Sequence, residues 1–157
     1  MKIVVDANIL FAALIKDSKT SSLFLVDDLE FFAPDFLFVE FEKYKDVILE
    51  KTSRPGKDVQ KYLDFLKRTI AIIPERDFKE LFNEFKSVSP DPKDIPYLAL
   101  AQRIKASIWS NDKKLKENQS LIEVLTTSDL ITRFNRRVGT VMYLKLSRNH
   151  HGGIYAY

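Results

Sequence analysis

At 157 residues, with 45% apolar and 30% charged side chains, the chain has the size and composition of one soluble globular domain able to bury a proper core. It has no run of about 18 apolar residues and no cysteine, which excludes a membrane-spanning helix, a disulfide scaffold and a thiolate metal site. The N-terminus lacks the basic, apolar and small-residue pattern of a secretory signal, and the absence of cysteine fits the expected cytoplasmic protein.

The net charge of +3 is unevenly spread: residues 135–157 carry Arg136, Arg137, Lys145 and Arg148 and no acid, leaving 21 basic against 22 acidic groups in residues 1–134. The chain therefore divides into a nearly neutral body, 1–134, and a basic C-terminal extension, 135–157. Such an extension suits phosphate contacts with nucleic acid, although solubility alone also accounts for it.

Along the body, strand and helix patterns alternate. "KIVVD" reads as the first strand, and residues 8–16 and 20–28 as helices separated by the polar "KDSKT" turn. "EFFAP" is a short second strand ended by Pro34, after which Asp35 is placed to cap one long helix reaching about residue 51. "SRPGKD" breaks the chain before the amphipathic "VQKYLDFLKRT". "IAIIP" is a third strand, 77–87 another amphipathic helix, and "SVSPDPKD" a proline-punctuated loop leading into the helix "IPYLALAQRIK". "ASIWS" gives a fourth strand, "NDKKLK" a short helix, "IEVLT" a fifth strand and "TSDLITRF" a last helix. In the extension, "TVMYLKL" alternates enough for an edge strand or one exchanged between subunits, while its basic and aromatic residues also suit RNA. Strands alternating with helices predict an α/β fold, a three-layer α/β/α sandwich around a mainly parallel sheet. In such sheets ligands bind beyond the carboxyl ends of the strands, where the connections change direction.

Acids fall at those ends. Asp6 closes the first strand, Asp112 follows the fourth, and Asp91 and Asp94 precede the helix that leads into the fourth. Asp94 and Asp112 each also suit helix N-caps. Asp6 is harder to assign to structure, because a buried ionised carboxylate is costly unless a cation or metal satisfies it. In the helix after Asp35, with Glu40 at zero and about 100° per residue, Phe36, Leu37, Phe41, Tyr44, Val47 and Ile48 fall within roughly −40° to +100°. Glu40 lies inside that apolar arc, Glu42 and Asp46 on the far side, and Phe38 and Val39 outside it; an exposed glutamate paired with a lysine is the plainer alternative. Four inward acids without matching lysines repel one another and are stable mainly around a divalent cation; all-oxygen ligands suit Mg²⁺ or Mn²⁺. The body offers no histidine for zinc, since His150 and His151 lie in the extension. A hard-metal carboxylate site points to phosphate chemistry, in which one ion, or two about 3.5–4 Å apart, activates water and steadies the transition state.

"VVDANIL", "APDFLFVEFEKYKD", "DPKDIPYLALA" and "IWSNDKKL" resemble, in order over about residues 1–133, the four signature blocks of PIN-domain ribonucleases. The resemblance implies a Rossmann-like α/β/α fold and Mg²⁺- or Mn²⁺-dependent cleavage of RNA. It implies that Asp6, Glu40, Asp94 and Asp112 hold the metal and carry catalysis, with Asn8 and Ser110 in supporting polar positions and Asp91 as an additional or alternative ligand. VapC-like members are toxins held inactive by an antitoxin protein, and PIN domains often form homodimers.

Other readings are weaker. A phosphoryl-receiver domain needs a phosphoacceptor Asp after the third strand, where "IAIIP" has none. A haloacid-dehalogenase-type phosphatase needs a second Asp where Asn8 stands. A catalytically silent RNA-binding or scaffold domain of the same fold is the alternative from another class.

Overall fold

Five strands and the helices between them are found in the computed structural model, which describes residues 1–15, 19–52, 55–89 and 91–135. The strands are β1 (Lys2–Val5), β2 (Glu30–Pro34), β3 (Ile70–Ile73), β4 (Ser107–Trp109) and β5 (Val124–Leu125). The helices are α1 (Ala7–Ile15), α2 (Lys19–Leu23), α3 (Phe36–Lys43), α4 (Lys45–Lys51), α5 (Gly56–Thr69), α6 (Phe82–Phe85), α7 (Ile95–Ile104), α8 (Lys113–Glu117) and α9 (Thr127–Arg133). The segment 136–157, with the strand expected over "TVMYLKL", lies outside the described residues. Among the described residues no helix is long and apolar enough to cross a membrane.

The sheet runs β3-β2-β1-β4-β5 with every pairing parallel. β1 is central, and its Ile3, Val4 and Val5 are fully buried, as a strand covered on both faces requires. Alternation then divides the core. Ile3, Val5, Phe31 and Trp109 pack on one face with Leu10 of α1, Leu66 of α5 and Leu130 of α9. Val4 and Ile108 pack on the other face with Leu98 and Leu100 of α7 and with Phe78 and Phe85. This is the expected α/β/α arrangement. The chain steps outward from β1 through β2 to β3, then crosses back to place β4 on the other side of β1. The direction thus reverses between β1 and β4, and a crevice opens beyond their carboxyl ends.

Several elements differ from their sequence pattern. The long helix expected over 35–51 is two, divided at Tyr44 (φ −106°, ψ 8°). The division shifts the helical phase, so Tyr44 and Val47, expected on the apolar arc, are 48% and 45% exposed, while Ile48 stays buried. Asp35 forms no capping bond; its Oδ2 instead accepts from the Glu75 N–H at 3.3 Å. The helix expected over 20–28 stops at Leu23, and turn bonds from Leu25 N–H to Ser22 O and from Val26 N–H to Leu23 O follow it. Asp27 and Asp28 come next, where negative charge opposes the dipole of a continuing helix. Over 77–87 only α6 is α-helical. 3₁₀ turns at Glu75–Asp77 and Lys79–Leu81 precede it, and Phe78 at their junction has φ −145°. A three-residue period presents apolar residues to one side as an α-helix does, which keeps Phe78 and Phe85 buried. β5 is shorter than "IEVLT", although Ile108 N–H to Glu123 O (2.8 Å) and Ser110 N–H to Leu125 O (3.1 Å) extend its pairing with β4.

Candidate active site

Asp6 is the residue after β1, and its N–H still bonds Trp109 O of β4 at 3.1 Å, so the strand pair fixes its backbone. Its carbonyl accepts from Ile9 N–H at 3.0 Å and so begins α1. The carboxylate therefore lies at a helix N-terminus, where the exposed amide dipoles favour negative charge. Oδ2 accepts from Asn8 Nδ2 and from Ser110 Oγ, both at 2.6 Å. Ser110 is fully buried. Besides donating to Asp6, its oxygen accepts from Asn8 Nδ2 and from the Asp112 N–H, each at 3.1 Å. Asn8 and Ser110 thus join the loop after β1 to the loop after β4 through one carboxylate oxygen.

The other acids arrive from separate stretches. Glu40 projects from α3 and is half-buried, whereas Glu42 on the same helix is exposed, as the periodicity predicts. Asp112 is the N-cap of α8; its Oδ1 accepts from Lys114 N–H at 2.8 Å and Leu115 N–H at 3.4 Å. At the head of α7 the capping roles are reversed from expectation. Asp91 Oδ1 accepts from Lys93 N–H at 2.9 Å and caps the 3₁₀ turn Pro92–Asp94. Asp94, at the N-cap position of α7, forms no side-chain capping bond, which leaves its carboxyl to the cleft.

Asp6, Glu40, Asp91, Asp94 and Asp112 line one open cleft of about 490 Å³, with Asn8 among them; Ser110 lies outside its lining and holds Asp6. Five carboxyl groups face two lysines, Lys43 and Lys93. Both lysines are exposed, and no ion pair among the described residues joins them to these acids. The electrostatic consequence is marked. Burial, and then the charges of Asp91, Asp6 and Asp112, push Asp94 up to about 6. Burial also raises Asp6, with Asp112 adding to the rise, against hydrogen bonds from Ser110 and from the Asn8 and Ala7 backbone. Both carboxyls lack a compensating positive charge.

These donors fit a divalent cation in chemistry: oxygen only, several negative charges, and an open side facing solvent. Among the described residues, however, no three acids stand close enough together to form a ready-made metal-holding group. The charge of a cation would offset the mutual repulsion of these acids.

The cleft includes residues that the sequence reading did not single out. Lys43 lies one turn after Glu40 and Lys93 immediately before Asp94, so proximity to acids was their only signal. Phe11 joins the wall, its ring 6.0 Å from that of Tyr44 and edge-on to it. Tyr97, in the first turn of α7, is 5% exposed, and its hydroxyl makes no hydrogen bond. Burial raises its phenol well above the ordinary tyrosine range, with the charges of Asp6, Glu40 and Asp94 adding to the rise. The Ala7 backbone tempers that rise, but its geometry falls short of a hydrogen bond. An unpartnered hydroxyl in such a place costs about 1–3 kcal/mol.

Comparison with curated proteins gives no match. The family model described as PIN domain matches residues 4–129, a span containing every acid of the cleft and all five strands save the first residues of β1. The chain belongs to the PIN-domain family.

Proposed function

We propose that the chain is a metal-dependent ribonuclease that hydrolyses RNA phosphodiester bonds. PIN domains are generally nucleases, hydrolases that act on nucleic acid and use divalent metals. The finer reading is supported chiefly by the meeting of carboxyls from four separate stretches in one cleft without a paired cation. In this reading Asp6, Glu40, Asp94 and Asp112 hold Mg²⁺ or Mn²⁺, Asp91 is an additional ligand, and Asn8 and Ser110 fix the orientation of Asp6. The bound cation supplies Lewis-acid stabilisation of charge developing on the phosphate. Lys43 and Lys93, exposed in the lining of the cleft, are available to contact phosphates of the RNA backbone. A carboxylate of the set takes a proton from the attacking water. The bond from phosphorus to O3′ then breaks, leaving a 5′-phosphate and a 3′-hydroxyl once O3′ has gained a proton from solvent.

The test is cleavage of unstructured RNA with Mg²⁺ or Mn²⁺ by the wild type, Asp6→Asn and Asp94→Asn, with circular dichroism to confirm folding. Loss of an outer partner of a metal site typically costs about 10–100-fold, so loss of a ligand is expected to exceed 100-fold. Full activity in either variant would sink the proposal. RNA binding without cleavage by the wild type would favour the catalytically silent RNA-binding domain. As partners we propose RNA and a second copy of the chain, the latter read from mass in solution. A role as the toxin of a toxin–antitoxin pair rests on the family alone; an adjacent gene for a small DNA-binding antitoxin would support it.

A further inference from the structure

Tyr97 occupies a place that phenylalanine would fill at lower cost. Its ring is buried in the core beneath α7 and meets Phe36 edge-on, with centroids 5.6 Å apart and planes at 84°. Of the buried side-chain polar atoms among the described residues, its hydroxyl oxygen is the one without a hydrogen-bond partner. Yet the ring borders the acidic cleft, and the charges of Asp6, Glu40 and Asp94 all act on the phenol. An ionised carboxylate only accepts hydrogen bonds, and a neutral phenol can donate one. A donor thus stands beside three acceptors without bonding any of them.

The acids differ in what they can still accept. Asp6 is tethered through Oδ2 by Asn8 and Ser110, and in that fixed orientation it does not bond the phenol. Asp94 is a short side chain one turn earlier on the same helix. Glu40 comes from another helix, α3, and has one more methylene of reach. We propose that Tyr97 is a positioning residue, whose hydroxyl donates to the Glu40 carboxylate when that group turns inward to hold a divalent cation. The inference rests on the metal-site reading above. It gives the hydroxyl a role: the phenol has no hydrogen-bond partner in the metal-free fold and gains one when the acids close. Partners of this kind hold ligands in the orientation a metal needs.

The experiment compares wild type with Tyr97→Phe by thermal melting without metal, by Mn²⁺ titration in a calorimeter, and by RNA cleavage across Mn²⁺ concentrations. The expected result has three parts. Without metal, the variant melts at the same temperature as wild type or higher. Its Mn²⁺ affinity is lower by about 10- to 100-fold. Its cleavage is restored by raising Mn²⁺. A lower melting temperature without metal would show that the hydroxyl has a partner in folding, and would overturn the proposal. Equal Mn²⁺ affinity in both proteins would overturn it while leaving the metal site intact, including the case in which only the RNA KM rises. If wild type itself takes up no Mn²⁺, the metal-site reading fails along with the proposal, and that result is distinguishable from the others.

Discussion

At Asp6 two physical demands oppose each other. Burial favours the neutral acid, while the hydrogen bonds from Ser110 and the neighbouring backbone favour the ion. The balance depends on Ser110, whose one oxygen serves as donor to Asp6 and acceptor from Asn8 and Asp112. Ser110→Ala would leave three polar groups short of a partner in a site with no exposed surface at residue 110. We expect a loss of about 1–3 kcal/mol in urea unfolding without metal, the cost of unsatisfied buried groups. A second consequence is weaker Mn²⁺ binding, because the direct bond from the β4 loop to the Asp6 carboxylate is then lost. A variant as stable as wild type would mean that water replaces the hydroxyl fully.

Between elements, the heads of α7 and α8 carry acids that look alike in sequence and act differently. Asp112 caps α8 through two backbone N–H groups; Asp94 caps nothing and is raised by burial and then by its acidic neighbours. Asp112→Ala should therefore cost stability, about 0.5–2 kcal/mol for the lost cap, offset in part by relief of repulsion. Asp94→Ala should leave metal-free stability unchanged or raise it. Denaturant unfolding of the two variants side by side tests this, and a less stable Asp94→Ala protein would sink it. The same contrast shows what a sequence reveals and what it hides. "DPKD" and "SNDK" both place an acid where a helix begins, but the choice between Asp91 and Asp94 as cap depends on the 3₁₀ turn Pro92–Asp94. Strand ends were legible because apolar runs stop abruptly at Asp6, Pro34 and Pro74. The divided helix at Tyr44 was not, because the residues on both sides of it form helix readily and no glycine or proline marks the break.

Across the whole molecule, the parallel sheet gathers acids from residues 6 to 112 into one cleft, and that concentration of charge should make stability depend on protons and, at the proposed site, on metal. Which acids share a sheet end followed from the strand–helix order, whereas the inward position of Tyr97 could not, since an aromatic on an apolar helix face reads simply as core. Asp94 is raised from 3.8 to about 6, and Asp6 is raised as well. A folded-state value above the unfolded one means that the native protein binds more protons across that interval. The contribution of Asp94 is therefore full below about pH 4 and is lost as pH rises through about 6, and that of Asp6 has the same sign. Glu123 and Asp129 are lowered by their hydrogen bonds to Ser107 and Lys116, so theirs is full above their unfolded values of 4.5 and 3.8 and is lost only in more acidic solution. Among these four groups, Asp94 is the one whose contribution falls between pH 5 and 7.5. The metal-free melting temperature should accordingly rise as pH falls through that window. Mn²⁺ must displace those protons to bind, so its stabilising shift should be larger at pH 7.5 than at pH 5. Melting curves at the two pH values, with and without Mn²⁺, give four numbers. A metal-free protein that melts lower at pH 5, or a Mn²⁺ shift equal at both, would show that these acids neither repel one another in the folded chain nor share a cation.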